Sequence, residues 1–304
     1  MSKTALDESQ DSAKRPRLPS WFRRALPKSP SFLQTRNLVS DLSLHTVCES
    51  AKCPNHWECW SHGTATFMIA GDRCTRACGF CAVDTAKPLA LDPMEPHRVA
   101  EAAARLKLRH VVITAVARDD LEDGGALHFR HCIEAVRKRL PESTIEVLTP
   151  DFLGKEACLS EVMAARPEVF NHNLETVRRL TPKVRFRSEY DRSLAVLDWV
   201  HQRFNGQVLT KSGMMLGLGE KDEEVVSALE DLRRVGCDIL TLGQYLQPTL
   251  EHLPVVEFVT PERFVELKDR AQSMGFKHVE SGPLVRSSYH AGEFRLGKKI
   301  SGQI

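Results

Sequence analysis

An α/β fold built as a partial (β/α)6 TIM-like barrel is predicted by three features of the chain. Six short β-rich runs alternate with helical patterns between residues 64 and 276. The chemically unusual residues stand just after those runs, where βα loops carry function in parallel folds. Six strands are also fewer than the eight of a closed barrel, so the sheet should stay open.

The elements follow in order. Strands are expected at 64–70, 110–116, 144–149, 168–174, 208–216 and 238–246. The Ala-rich stretch 96–108 places Val99, Ala102, Ala103 and Leu106 at helical spacing. A second helix, 126–140, stops at Pro141, and a third covers 191–204. Helices over 222–236 and 261–275 end on Gly236 and Gly275, which suit a C-terminal cap.

Around this barrel (64–276) lie a flexible basic arm (1–30), an extension (31–63) and a C-terminal extension (277–304). The arm carries Lys14, Arg15, Arg17, Arg23, Arg24 and Lys28 beside Trp21 and Phe22, a candidate docking element for an acidic partner. Asp7, Glu8 and Asp11 count against a mitochondrial presequence.

Composition excludes several classes. At 42% hydrophobic, 27% charged and net charge +2, nothing calls for nucleic acid or membrane. The longest apolar run, Val111 to Ala117, has seven residues, too short to span a bilayer. Nine cysteines in 304 residues are too few and too uneven for a disulfide framework, and six fall between Cys48 and Cys81. That clustering reads as metal ligation in a reducing, cytoplasmic protein, expected to be a monomer. Cys132, Cys158 and Cys237 read as small hydrophobes.

Cys74, Cys78 and Cys81 stand in C-x3-C-x2-C spacing directly after the first strand. Three thiolates so close can hold three irons of a cubane and leave the fourth open to non-protein atoms, a reading preferred to a three-ligand zinc site or chance spacing. Cys48, Cys53 and Cys59, in C-x4-C-x5-C spacing, form a second triplet. His45, His56 and His62 flank it, so a zinc knuckle is an alternative there. Neither triplet reaches four ligands, and each needs a separate fourth.

C-x3-C-x2-C at this position resembles the radical S-adenosylmethionine superfamily. "CESAKCPNHWECW" and "VRSSYHAG" together resemble the lipoyl synthase family, as do "VARDDLEDGGA", "NHNLETV", "LGLGE" and "GQYLQP" in order. The likeness runs from about Ser31 to Phe294. It sets aside a radical methylthiotransferase, whose first cysteines would spread over a whole domain, and a two-cluster electron carrier.

The resemblance implies two [4Fe–4S] clusters and S-adenosylmethionine as cofactors. Cys74, Cys78 and Cys81 would hold the catalytic cluster, whose open iron chelates the cofactor and yields a 5′-deoxyadenosyl radical. Cys48, Cys53 and Cys59 would hold an auxiliary cluster that donates sulfur, with Ser287 or, preferably, Ser288 as fourth ligand. Asp119, Asp120, Asn173, Glu175, Gly217, Gly219 and Glu220 would contact the cofactor. Implied partners are an octanoylated lipoyl-carrier domain or glycine-cleavage H protein, an electron donor such as ferredoxin or flavodoxin, and a cluster-repair carrier.

Overall fold

The computed structural model describes residues 17–23, 31–62, 65–289 and 291. Lys14, Arg15, Arg24 and Lys28 of the arm, and residues 292–304, lie outside the described residues. Helices α1 (Ser31–Asp41), α2 (Val47–Ser50) and α3 (His56–Ser61) form the N-terminal extension, with strand β1 (His45–Thr46) between the first two. Strand β2 (Thr66–Ile69) opens the barrel, and β3 (Arg73–Cys74) pairs with β4 (Asp84–Thr85) across the first cysteine loop. The alternation continues with α4 (Glu95–Arg105), β5 (His110–Ala115), α5 (Ala126–Arg139), β6 (Thr144–Leu148), α6 (Glu156–Ala164) and β7 (Val169–Asn171). It closes with α7 (Thr181–Val184), α8 (Tyr190–Phe204), β8 (Leu209–Leu216), α9 (Asp222–Arg234), β9 (Ile239–Gln244), α10 (Pro261–Ser273) and β10 (His278–Gly282).

The main sheet runs β1-β2-β5-β6-β7-β8-β9-β10. Every neighbouring pair from β2 to β10 is parallel, and β1 lies antiparallel on the β2 edge. β1 and β10 occupy opposite edges, so the barrel is open. All six expected strands are present. β10 adds a seventh parallel strand inside the stretch expected to be extension, past the boundary at 277. Its sequence, HVESG, offers only Val279 as a fully buried apolar residue, which is why period and composition hid it.

Strand alternation sorts the two faces. On β5, Val111 and Ile113 are fully buried under the helices, while His110, Val112 and Thr114 line the lumen. Ala102 and Ala103 of α4 are likewise fully buried, and such small side chains let the helix sit close on its neighbours. Thr260 starts α10 by accepting the Arg263 N–H at 3.3 Å, with Pro261 in the first turn. No helix of the described residues is long and apolar enough to cross a membrane.

The lower lumen is ionic where most barrels are packed with aliphatic side chains. Lys211 Nζ donates to both Glu146 oxygens (2.9 and 3.1 Å), and Asn171 Nδ2 donates to Oε1 at 3.0 Å. His110 Nε2 stands 3.4 Å from Oε2. Burial would push the Glu146 carboxyl up, but Lys211 and His110 outweigh it and hold it near about 2. Because its folded value is depressed, the stabilisation is present above the ordinary carboxylate range. It is lost as pH falls from about 4.5 toward 2. Removing one partner of a buried pair strands the other charge, so Lys211→Met should cost about 3–5 kcal/mol in urea unfolding at pH 7. The loss should shrink in acid, where Glu146 is protonated anyway.

After β10 the chain turns back into this lumen. Val285 lies so close over Gly243 that a Cβ there would strike its carbonyl. Two residues on, Ser287 Oγ accepts a 2.7 Å hydrogen bond from Asn173 Nδ2, at the end of β7. The arm is anchored as well: Phe22 is buried edge-on against Phe258, with ring centroids 5.8 Å apart. One of its two aromatics is thus engaged by the protein itself, and Trp21 remains exposed.

Candidate active site

The loop with Cys74, Cys78 and Cys81 leaves β2 through Ala70, which adopts a left-handed φ of 65°. Two buried charges fix that residue: its N–H donates to Glu95 Oε2 (2.8 Å) and its carbonyl accepts from Arg118 Nη1 (3.0 Å). Further along, Thr75 is bonded to the Ala117 carbonyl, Gly79 N–H to Val184, and the Leu253 N–H to Gly79. His252 Nε2 lies 2.9 Å from the Cys81 carbonyl, and its Nδ1 is 2.8 Å from Thr249 Oγ1. The loop is therefore held by β5, α7 and the β9–α10 connection together.

A charged lattice supports it from beneath. Arg76 donates to both oxygens of Asp119 (2.8 Å each), to Asp151 (2.6 Å) and to Ser188 (3.1 Å). Arg192 donates to the other Asp151 oxygen at 2.8 Å. Burial opposes the Asp151 charge, but the two guanidiniums hold its carboxyl below the usual range. His172 is sealed between the Thr149 carbonyl and Ser193 Oγ, and burial lowers it to about 4, so it is neutral at pH 7.

The second triplet is carried by α2, α3 and the turn between them. Thr46 caps α2, and Cys48 is buried, with the Thr66 backbone bonding its sulfur. Asn55 Nδ2 donates to the Leu284 carbonyl at 2.7 Å, and the Tyr289 hydroxyl donates to Glu58 at 3.3 Å. These bonds fasten the extension to the C-terminal segment, and Arg286 faces Cys53 and Glu175. Burial raises the Glu175 carboxyl, opposed first by Arg185.

All six cysteines line one cavity of 1070 Å³, together with Ser287, Ser288, Asn173 and Glu175. None is in a disulfide. Burial raises Cys48 to about 11 and Cys81 to about 12, so these thiols carry protons until a metal displaces them. Among the described residues no three His, Cys, Asp or Glu converge on one metal ion. A cubane takes each thiolate on a different iron, so spread donors suit it. Asn173 Oδ1 and Thr149 Oγ1 are buried on the cavity wall without a hydrogen-bond partner, as acceptors awaiting a donor would be. The donor set thus fits a thiolate-held cluster with a polar ligand beside it.

Other expected contacts stand outside the cavity lining. Asp119 is engaged by Arg76, and Asp120 by Arg118 through two 2.9 Å bonds. Gly217 has a φ of 95°, and a Cβ there would run into the Gln244 amide and the Glu257 carbonyl. Glu220 folds back onto the N–H groups of Gly217 and Leu218, and Gly219 faces Val256. This stretch is built as a tight βα turn. Conversely, Arg76, Asp151, Arg185 and His252 were not singled out from the sequence as site residues. An acid at the end of the third βα strand was the one available sign of Asp151.

A family model described as the N-terminal domain of lipoyl synthase of the radical SAM family matches residues 3–53, and one for the Radical SAM superfamily matches 68–232. The lipoyl synthase of Rubrobacter xylanophilus is 54% identical over 275 residues, covering 90% of this chain and 85% of that protein. The chain belongs to the lipoyl synthase family. Lipoyl synthase 2 of Gloeobacter violaceus is 56% identical, covering 91% of this chain and 96% of its own length. Membership brings a [4Fe–4S] cluster and S-adenosylmethionine with it. Solved structures share the fold. Methylornithine synthase aligns with TM-score 0.55 at 15% identity, covering 83% of this chain and 75% of its own. Streptococcus suis SuiB bound to S-adenosylmethionine aligns with TM-score 0.57 at 12% identity, covering 87% and 63%.

Proposed function

We propose that the chain inserts two sulfur atoms, at C6 and C8, into an octanoyl group amide-linked to a lysine of a lipoyl-carrier domain or glycine-cleavage H protein. The observation that carries this reading is the shared cavity: both cysteine triplets and the Arg286–Tyr289 segment line one space. When bound, the cluster with S-adenosylmethionine supplies radical cleavage of unactivated C–H bonds, and a second cluster supplies sulfur.

In this reading Cys74, Cys78 and Cys81 hold the catalytic cluster, and Cys48, Cys53 and Cys59 the auxiliary one. Ser288 is the proposed fourth auxiliary ligand. Its neighbour Ser287 is committed to Asn173, whereas Ser288 makes no side-chain hydrogen bond among the described residues. An alkoxide is a harder iron ligand than thiolate, a natural point of release. Asn173 and Glu175 orient the cofactor from the β7 end. Asp119 and Asp120 act by holding Arg76 and Arg118, and the 217–220 turn shapes the rim. The aliphatic and methionine wall, including Met68, Val112 and Met214, accepts the acyl chain and keeps water away. A ferredoxin or flavodoxin would supply electrons, and a cluster carrier would restore the auxiliary site.

Anaerobic incubation of the reconstituted protein with S-adenosylmethionine, dithionite and an octanoyl-lysyl peptide should yield 5′-deoxyadenosine. The peptide should gain two sulfurs and lose two hydrogens. Deoxyadenosine without sulfur transfer would retain the superfamily chemistry and refute the specific activity.

A further inference from the structure

The charges around the cavity are sorted by depth. The acids that line it, Glu58, Asp151 and Glu175, are buried or half-buried. Among the described residues that line it, the exposed charged ones are Lys52, Lys107 and Arg109, all cations. None of the three has an ion-pair partner among the described residues. Lys107 and Arg109 immediately precede β5, at the N-terminal end of the barrel, while Cys74, Cys78 and Cys81 lie beyond the C-terminal end of β2. The cavity lining continues up β5 through His110, Val112 and Thr114, so it spans the barrel from one end to the other.

Backbone conformation argues that the two lysines are not incidental. Leu108 N–H bonds Ala103 O and Lys107 N–H bonds Ala104 O, a Schellman cap that places Lys107 in the left-handed region with φ 52°. Cys53 N–H to Cys48 O and Lys52 N–H to Glu49 O repeat the pattern at the end of α2, where Lys52 has φ 50°. Glycine is favoured at such positions. Helix dipoles favour cations in last helical turns, but Lys107 and Arg109 lie beyond the end of α4.

We propose that an acidic carrier domain docks on Lys107, Arg109 and Lys52, and passes its acyl-lysyl arm into the cavity from the N-terminal end of the barrel. The inference rests on the carrier-bound substrate proposed above. The arm then enters from the end opposite to the Cys74–Cys81 loop and passes Cys48, which packs at Thr66 beside Val112. The six residues of β5 span about 17 Å. An extended octanoyl-lysyl side chain reaches about 16 Å by ordinary bond lengths, enough to place C6 and C8, at its far end, between the two cysteine groups.

The capping geometry provides variants that remove charge without endangering the fold. K52G and K107G put glycine where the backbone prefers it, and R109Q keeps a long polar side chain. The triple variant, reconstituted as holoenzyme, is compared with wild type for Kd toward an octanoylated carrier domain at several salt concentrations. Kd should weaken at least tenfold at low salt, the salt dependence should flatten, and Tm should not fall. A charge-reversed K107E/R109E pair should weaken binding further. Unchanged Kd and salt dependence in both variants would overturn the docking face while leaving sulfur insertion into a free octanoyl-lysyl peptide intact. Failure of the wild-type holoenzyme to modify either substrate would instead refute the underlying activity, and the docking proposal with it.

Discussion

Cys78→Ala should abolish both 5′-deoxyadenosine release and sulfur insertion, each falling by on the order of a thousandfold or more. The side chain sits on a loop fixed at Gly79 and Cys81 by Val184, Leu253 and His252. Iron content should drop from about eight to about four per chain, because the other triplet is carried by separate elements. The fold should survive, since Cys78 is only part-buried and lies outside the hydrophobic core. Iron counting, near-ultraviolet circular dichroism and deoxyadenosine chromatography on the same sample check all three parts. Retained deoxyadenosine release would remove Cys78 from the radical site.

Cys53→Ala should separate the two halves of the reaction. Cofactor cleavage should stay within about threefold of wild type, while sulfur insertion falls below detection, again on the order of a thousandfold. Cys53 is preferred to Cys48 for this test because Cys48 belongs to the hydrophobic core, so its loss would also cost packing. Arg286 faces Cys53 and would be left as a half-buried cation with one fewer partner, so a modest loss of stability should accompany the change. Ser288 supplies the companion result. Ser288→Cys should keep about eight irons yet slow sulfur transfer, because thiolate grips iron more tightly than an alkoxide. Mass spectrometry of the peptide product, beside deoxyadenosine in the same reaction, distinguishes these outcomes.

Local pattern made much of this molecule legible. Six β-rich runs, the helix ended by Pro141 and both cysteine triplets follow from spacing alone, since each is a short-range regularity. β10 was hidden because an edge strand held by backbone pairing to β9 needs little apolar alternation, and HVESG buries only Val279. The return of residues 283–289 into the lumen was equally silent. It depends on Gly243 yielding space to Val285 and on Asn173 meeting Ser287 across 114 positions. Asp119 and Asp120 show the opposite limit. Their position after a strand suggested a ligand, but the sequence does not say that Arg76 and Arg118 engage them first. Arg76 itself lies between two cysteines and was passed over because a lone arginine has no signature spacing.

The proposed origin of the inserted sulfur is tested most directly by a single turnover with isotopically labelled cluster sulfide. The protein is reconstituted with heavy sulfide, freed of excess, and reacted with S-adenosylmethionine, reductant and octanoyl-lysyl peptide. Both sulfurs of the product should be heavy, and product should stop at about one per chain. Light sulfur in the product, or heavy product formed undiminished by the Cys53→Ala protein, would contradict a cluster held by Cys48, Cys53 and Cys59 as the sulfur source.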